Sequence, residues 1–368
     1  MIKILIIEPY YTGSHKYWID GYKKYSNHEI KVLTLKGQFW KWRMHGGAVT
    51  LAEKFKNLKW TPDLIITSDM LDLTTFLALT RKETRNIRTL IYFHENQISY
   101  PWSPNDRDVQ KNRNFHYGFI NFISCLASDH IFFNSNFHMN SFYKDLTPFL
   151  KNFPDHNEIN LIKTLKKKSE VLYVGLDLKS LGCNQKSFNH IPTILWNHRW
   201  EYDKNPEVFF KILKKAKQNN YKFKLIILGE KFTTKPEIFT ASKKFFENEI
   251  IQWGYLNSKD DYIKHLWKAD IMPVTSKQEF FGISVMEGIY CETWPILPNR
   301  LTYPELIPKE YHSENLYDCD DDLYKKLIFA INNYQSLKKI NLQHVVKKYD
   351  WTKIASQYDS VFQKASNK

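Results

Sequence analysis

Long apolar runs are missing from this chain: none approaches the ~20 residues that a membrane-spanning helix needs, which excludes that class. The opening Met1-Ile-Lys-Ile-Leu-Ile-Ile7 is too short and too β-branched for a secretory signal, so no targeting segment is expected. Cysteine is sparse. The four present, Cys125, Cys183, Cys291 and Cys319, lack the spacing of a metal site and read as free thiols of a cytoplasmic protein. Arginine is sparse too, at eight of the 53 basic residues, and neither a repeat nor a low-complexity block stands out.

What the chain does have is length, apolar content and positive charge. With 368 residues and 43% hydrophobic content it exceeds one ordinary core, and two packed domains are expected. The formal charge of +14 points to a polyanion surface, although a general lysine bias, alongside abundant Asn and Ile, accounts for it equally well. The excess is uneven: through His190 there are 26 Lys and Arg against 17 Asp and Glu, a net +9, and the remainder carries +5. Six of the eight arginines (Arg43, Arg81, Arg85, Arg88, Arg107 and Arg113) lie in the first part.

The apolar pattern predicts alternating strands and helices. Lys3–Ile7 reads as a buried parallel strand, followed by strands at Glu29–Leu35, Leu64–Thr67, Thr89–Phe93, His130–Asn134 and Val171–Val174. After a polar stretch at 155–170 and a linker at Lys179–His190, the pattern restarts with strands at Thr193–Trp196, 222–228, Ile250–Trp253 and Ile271–Val274. Trp351–Phe362 is an amphipathic helix. The alternation argues two doubly wound α/β halves facing a central cleft.

Chemistry concentrates where such strands end. Glu279-Phe-Phe-Gly-Ile-Ser-Val-Met-Glu287 follows a predicted strand, with Gly282 allowing close backbone approach and Glu287 about two turns into a helix. Two carboxylates at a strand's carboxyl end suit a hydroxyl-rich ligand, while a helix with one capping and one solvated glutamate fits the spacing as well. Arg199 and Lys204 sit in the loop opened by Asn197-His198, where cations and helix N–H groups together bind a diphosphate. Gly229 and Gly254 each follow a predicted strand and could line a nucleobase pocket. In the first half, Tyr92-Phe-His-Glu-Asn-Gln97 ends a strand in a polar cluster, and Gly13-Ser14 opens a helix at another strand end. Asn134-Ser135 and Asp155-His156 are further polar pairs. Trp40-Lys41-Trp42-Arg43 interleaves aromatics with cations, as single-stranded nucleic-acid surfaces do; a core tryptophan beside a solvated lysine is the plainer alternative.

The second half resembles a retaining family 4 glycosyltransferase of the GT-B fold, through its Glu-x7-Glu motif and its Arg…Lys pair. More specifically, residues 8–16, 92–97 with Tyr100-Pro101, 197–206 and 298–305 resemble the tRNA-queuosine α-mannosyltransferase family. The resemblance implies transfer of mannose from GDP-mannose to queuosine in the anticodon of tRNA(Asp). By the same carry-over, Arg199 and Lys204 hold the diphosphate, Glu287 the ribose, Glu279 and Gly282 the donor sugar, and His94 lies beside the reacting carbon. Gly13, Ser14, Gly254, Phe281 and Ile283 complete the expected donor site; Lys41, Arg43, Glu95, Asn96, Gln97, Arg81, Arg85 and Arg88 form the expected acceptor surface. One departure stands out: family 4 enzymes usually carry Gly five residues after the second Glu, where this chain has Glu292.

The expected architecture is therefore an acceptor-side domain over 1–180, a nucleotide-sugar domain over 190–345, and a last helix, 346–368, returning toward the first domain. Front-face displacement through an oxocarbenium-like transition state follows from the family, with the departing diphosphate stabilised by Arg199 and Lys204. No Asp-x-Asp motif stands in the expected place, so no essential metal and no cofactor beyond the nucleotide sugar is expected. Two rivals are a transferase acting on lipid-linked or surface glycans and a non-catalytic RNA-binding protein on the same scaffold. The first would use a basic amphipathic helix against a membrane, for which 141–153, interrupted by Pro148, is the available stretch.

Overall fold

The β-branched and aliphatic runs form two parallel sheets in a computed structural model of the protein, which describes residues 1–103, 106–111, 113–182, 189–230 and 236–367. Cys183 and half of the expected linker lie outside the described residues; Cys125, Cys291 and Cys319 are free thiols. The first sheet contains β1 (Lys3–Tyr11), β2 (Glu29–Lys36), β3 (Leu64–Ser68), β4 (Arg88–Phe93), β5 (His130–Phe133) and β6 (Ser169–Val171). Their order is β2-β1-β3-β4-β5-β6. The second contains β7 (Thr193–Asn197), β8 (Lys224–Leu228), β9 (Ile250–Trp253), β10 (Ile271–Pro273), β11 (Trp294–Pro298) and β12 (Leu316–Tyr317), in the order β12-β11-β10-β7-β8-β9. Every paired strand is parallel, and Leu64–Ser68, Thr193–Asn197 and Trp294–Pro298 are buried throughout, as sheets covered on both faces require.

The chain divides into two compact units, Met1–Leu176 with Trp351–Lys368, and Asp177–Asp350. The last helix, Trp351–Ser366, is built into the first unit by specific polar contacts. Tyr358 Oη accepts from Trp18 Nε1 at 3.0 Å and donates to the Tyr173 carbonyl at 2.7 Å, while Tyr22 Oη donates to Asp359 at 2.8 Å. Trp351 leaves no room for a side chain at residue 175, where a Cβ would lie 2.2 Å from the indole.

The amphipathic stretch weighed as a membrane face belongs to the helix Asn136–Leu150, whose Phe142, Leu146 and Leu150 are buried in the core against β4 and β5. Core packing accounts for its apolar stripe. The turn after the helix Ile283–Tyr290 is made without glycine: Glu292 takes a left-handed φ of +60°, and Thr293 N donates to the Gly288 carbonyl at 3.0 Å. A left-handed non-glycine residue costs roughly 1–2 kcal/mol, partly offset by the greater unfolded-state freedom of glycine. Glu292→Gly is therefore expected to raise stability by up to about 1 kcal/mol, read as a higher urea midpoint at unchanged m-value.

Candidate active site

In the second unit the strand order reverses between β7 and β10, and loops at such a reversal are where open parallel sheets bind ligands. The loop after β7 carries Arg199, Asp203 and Lys204; the loop after β10 carries Gln278 and Glu279. Lys204 Nζ joins them, at 2.9 Å from the Gln278 carbonyl and 3.2 Å from both Asp203 Oδ2 and Glu279 Oε2. Burial alone would lower the pKa of this ammonium, but the Glu279 and Asp203 carboxylates outweigh it and hold it above its ordinary value. Asp203 is 1% exposed and Glu279 19%, so the cluster presents one carboxylate outward and keeps the other inside. Arg199 is half exposed, 3.0 Å from Glu201 and 4.0 Å from Asp203.

The backbone around this cluster is tightly specified. Thr275 Oγ1 donates to the carbonyls of Lys204 (2.9 Å) and Asn205 (3.0 Å), and Lys277 N donates to the Asp203 carbonyl at 2.7 Å. Gly229, at φ +119°, lies so close to the loop that a Cβ there would sit 1.9 Å from the His198 carbonyl oxygen. Burial, and then Lys204, push the His198 imidazole down to about 3, so it is neutral beside the cation.

Glu287 stands on the helix Ile283–Tyr290, which starts at Gly282 with φ +88°, a conformation that only glycine adopts without strain. Its carboxylate is buried and accepts from Tyr262 Oη at 2.7 Å, and Asn197 Nδ2 in turn donates to Tyr262 at 2.9 Å. These hydrogen bonds tie the end of β7 to the helix Ile283–Tyr290 and to the helix Lys259–Lys268, which carries Tyr262. Gly254 is buried at φ +114°, and Ile283 is half-buried at the helix start. Phe281 turns inward, 2% exposed with its ring 5.3 Å from Tyr349, so its side chain packs in the core and only its backbone remains for a ligand.

The first unit has its own reversal, between β1 and β3, and a second cluster gathers there. His15 Nδ1 lies 2.8 Å from Glu8 Oε2, and the His15 and His94 rings are 4.3 Å apart. His94 N donates to Asp69 Oδ1 at 2.8 Å. All four side chains are buried, and neither ring nitrogen of His94 nor Oδ2 of Asp69 has a hydrogen-bond partner. Burial would lower His15, but Glu8, with Asp69 and Glu95 behind it, raises it to about 9. Burial, and then the His15 charge, hold His94 well below the ordinary range, and burial raises Asp69. The result is a fixed imidazolium beside a neutral imidazole. Glu8, His15 and His94 each place a ligand atom within 4.8 Å of the others, close enough for one metal ion. Metal binding there would have to displace the proton that Glu8 holds on His15.

Of the remaining expected residues, Gly13 (φ +50°) and Ser14 are exposed beside this cluster. Asn96 is buried and its Oδ1 accepts from Ile98 N and Ser99 N, which fixes its own turn; Gln97 Nε2 donates to Glu95 at 3.1 Å. Lys41 is not a solvated cation, because it pairs with both Asp106 and Asp108. Arg43 Nε donates to the Lys36 carbonyl at 3.1 Å. The structure does not bring Arg81, Arg85 and Arg88 to the His94 edge. They precede or begin β4, roughly 20 Å along the strand from His94, and Arg88 pairs with Asp129. Asn134 Nδ2 donates to the His94 carbonyl at 3.0 Å, Ser135 caps the helix Asn136–Leu150, and Asp155 and His156 lie on the surface. A depression of about 340 Å³ lined by Asn140, Tyr143 and Ser169 carries none of the expected residues. Glu8, His15, Asp69, Asp203 and Tyr262 were not among the expected site residues.

Two doubly wound units, each with a charged cluster at its strand reversal, are the architecture of the GT-B fold, and the family match of the second unit makes the chain a glycosyltransferase. The profile described as Glycosyl transferases group 1 matches residues 185–348, and the one described as tRNA-queuosine alpha-mannosyltransferase N-terminal matches residues 3–176. Over 334 residues the chain is 34% identical to the tRNA-queuosine alpha-mannosyltransferase of Drosophila melanogaster, covering 88% of this chain and 85% of that relative. It belongs to the tRNA-queuosine alpha-mannosyltransferase family. Among solved structures, sucrose-phosphate synthase from Thermosynechococcus elongatus is similar at a TM-score of 0.71 with 12% identity, covering 99% of both chains. The catalytic domain of starch synthase IV from Arabidopsis thaliana is similar at 0.71 with 11% identity, covering 100% of both. These two likenesses concern the fold alone. No helix among the described residues is long and apolar enough to cross a membrane.

Proposed function

We propose that this protein is a cytoplasmic enzyme that transfers mannose, with retention of configuration, from GDP-mannose to queuosine in the anticodon of tRNA(Asp). The observation that carries the reading is Lys204, a buried ammonium held between Asp203 and Glu279 at the strand reversal. A preorganised cation of this kind stabilises a departing diphosphate without reorganising as the charge develops. Arg199, on the same loop and partly exposed, adds a planar fork suited to phosphate oxygens. Glu287 is assigned to the ribose, with Tyr262 orienting its carboxylate. Glu279, with the backbone at Gly282, is assigned to the donor sugar, and His94 keeps the catalytic role that the family resemblance implies for it. The acceptor rests on the family and on the basic first half of the chain.

Catalysis is proposed to need no metal, since charge on the leaving group is met by Arg199 and Lys204. The test is transfer from GDP-mannose, in buffer containing EDTA, to purified tRNA with and without the queuosine base, with UDP-sugars as the contrast. Incorporation only into the queuosine-bearing tRNA is expected. Equal incorporation into both, or into a lipid extract instead, would refute the acceptor; activity restored only by added metal would refute the metal-free mechanism.

A further inference from the structure

The start of the helix Trp40–Lys56 presents two bare aromatic rings on an immobilised base. Phe39 is 75% exposed and Trp42 63% exposed, three residues apart. Phe39 caps the helix at a left-handed φ of +56°, and Arg43 N donates to its carbonyl at 3.0 Å, closing the first turn. The two residues between them are anchored. Trp40 packs inward with its ring 5.7 Å from Trp102 and 5.1 Å from Tyr117. Lys41 is pinned by Asp106 and Asp108 and lies over the Trp102 ring at 5.4 Å. Gly46 lets the Trp42 indole lie along the helix, since a Cβ there would come within 2.5 Å of the ring.

Charge decides what such rings are for. Residues 36–45 contain Lys36, Lys41 and Arg43 and no carboxylate. The segment 106–111 with Arg113 carries Asp106 and Asp108, both engaged by Lys41, together with exposed Arg107, Lys111 and Arg113. Cations around exposed aromatics match single-stranded nucleic acid, whose bases stack on the rings while its phosphates meet the charges. A protein partner would not need the cations.

We propose that Phe39 and Trp42 form a stacking platform for unpaired bases of the acceptor RNA, with Arg107, Lys111 and Arg113 meeting its phosphates; the proposal rests on the tRNA reading above. Lys41, in this arrangement, is a positioning residue that holds the platform rigid.

The experiment measures binding of queuosine-bearing tRNA and of GDP by wild type, Phe39→Ala, Trp42→Ala, Trp42→Leu and Trp42→Phe. Each alanine variant is expected to weaken tRNA binding on the order of tenfold, with GDP affinity unchanged. Trp42→Phe should retain most of the affinity and Trp42→Leu should not, because leucine is apolar but cannot stack. Wild type that binds tRNA, with alanine variants that bind it equally, would overturn the platform and leave the tRNA reading standing. Wild type that binds no tRNA would overturn both. Unchanged tRNA affinity together with an altered sedimentation coefficient would assign the patch to contacts between protein copies. If a variant also loses GDP, ultraviolet cross-linking of the wild type decides: adducts on the peptide bearing Phe39 and Trp42 support the platform, and adducts only elsewhere overturn it.

Discussion

Lys204→Met is expected to lower the rate of transfer roughly 10²–10³-fold and to weaken binding of the nucleotide product by about 1.5–3 kcal/mol. Methionine keeps an unbranched stem one atom shorter and removes the charge together with the donor to the Gln278 carbonyl. That charge holds Glu279 in place and faces the position assigned to the diphosphate, so binding and turnover should fall together. The substitution also strips the buried Asp203 of its closest cation, 3.2 Å away, and breaking a buried pair from one side costs about 3–5 kcal/mol of stability. The double variant Lys204→Met, Asp203→Asn separates the two effects: stability should return while transfer stays low. Arg199→Ala should be milder in both respects, because its guanidinium is half exposed and screened by water. Calorimetry with GDP and a steady-state assay across these variants are the measurements. Normal GDP affinity in a folded Lys204→Met protein would place the diphosphate elsewhere.

How far the sequence reveals this site depends on whether the signal is local. The buried strands Leu64–Ser68 and Thr193–Asn197 are apolar or β-branched up to their last residues, Ser68 and Asn197, and they are legible because a strand buried on both faces needs that composition. β11 is not legible. Trp294-Pro-Ile-Leu-Pro298 carries two prolines, which argue against an inner strand, yet it pairs with both β10 and β12. Its prolines are tolerated because neighbouring residues supply the hydrogen bonds: Val274 N donates to the Ile296 carbonyl and Trp294 N to that of Asp270.

The same division holds at the site. The glutamate pair and the Arg199–Lys204 loop are visible as spacing after a strand. The partnership of Lys204 with Glu279 spans 75 positions and comes only from the parallel register of β7 and β10. Lys41 reads as a free cation because the two aspartates that neutralise it lie 65 and 67 residues away. Arg81, Arg85 and Arg88 read as part of an acceptor surface or as a solvated loop far from the cleft, and strand direction sends them to the opposite end of β4 from His94. Asp69 carries no local signal at all. It becomes chemically distinctive only when folding buries it against His15 and His94.

The second large effect is on stability against pH, and it belongs to Glu8. His15 is buried, and without a carboxylate partner burial would make it less basic than free histidine. Glu8, 2.8 Å away, together with Asp69 and Glu95 instead raises it from 6.5 to about 9. A group more basic in the folded state than in the unfolded one binds its proton more tightly when folded. The stability it adds is therefore complete below pH 6.5 and is lost as pH rises through about 9. The displacement corresponds to about 3 kcal/mol at full protonation. Glu8→Gln keeps an acceptor for Tyr10 N, which donates to Glu8 Oε1 at 2.7 Å, but removes the charge that makes His15 basic. Urea unfolding of wild type and variant between about pH 6 and 9.5 should show the wild type ahead by about 3 kcal/mol at the acid end. The gap should close toward the alkaline end, where the wild type is left with a buried glutamate lacking its cation. A gap constant across that range would mean that Glu8 contributes packing and hydrogen bonding alone. His15 would then lack its raised basicity, and the fixed imidazolium beside His94 would have to be abandoned.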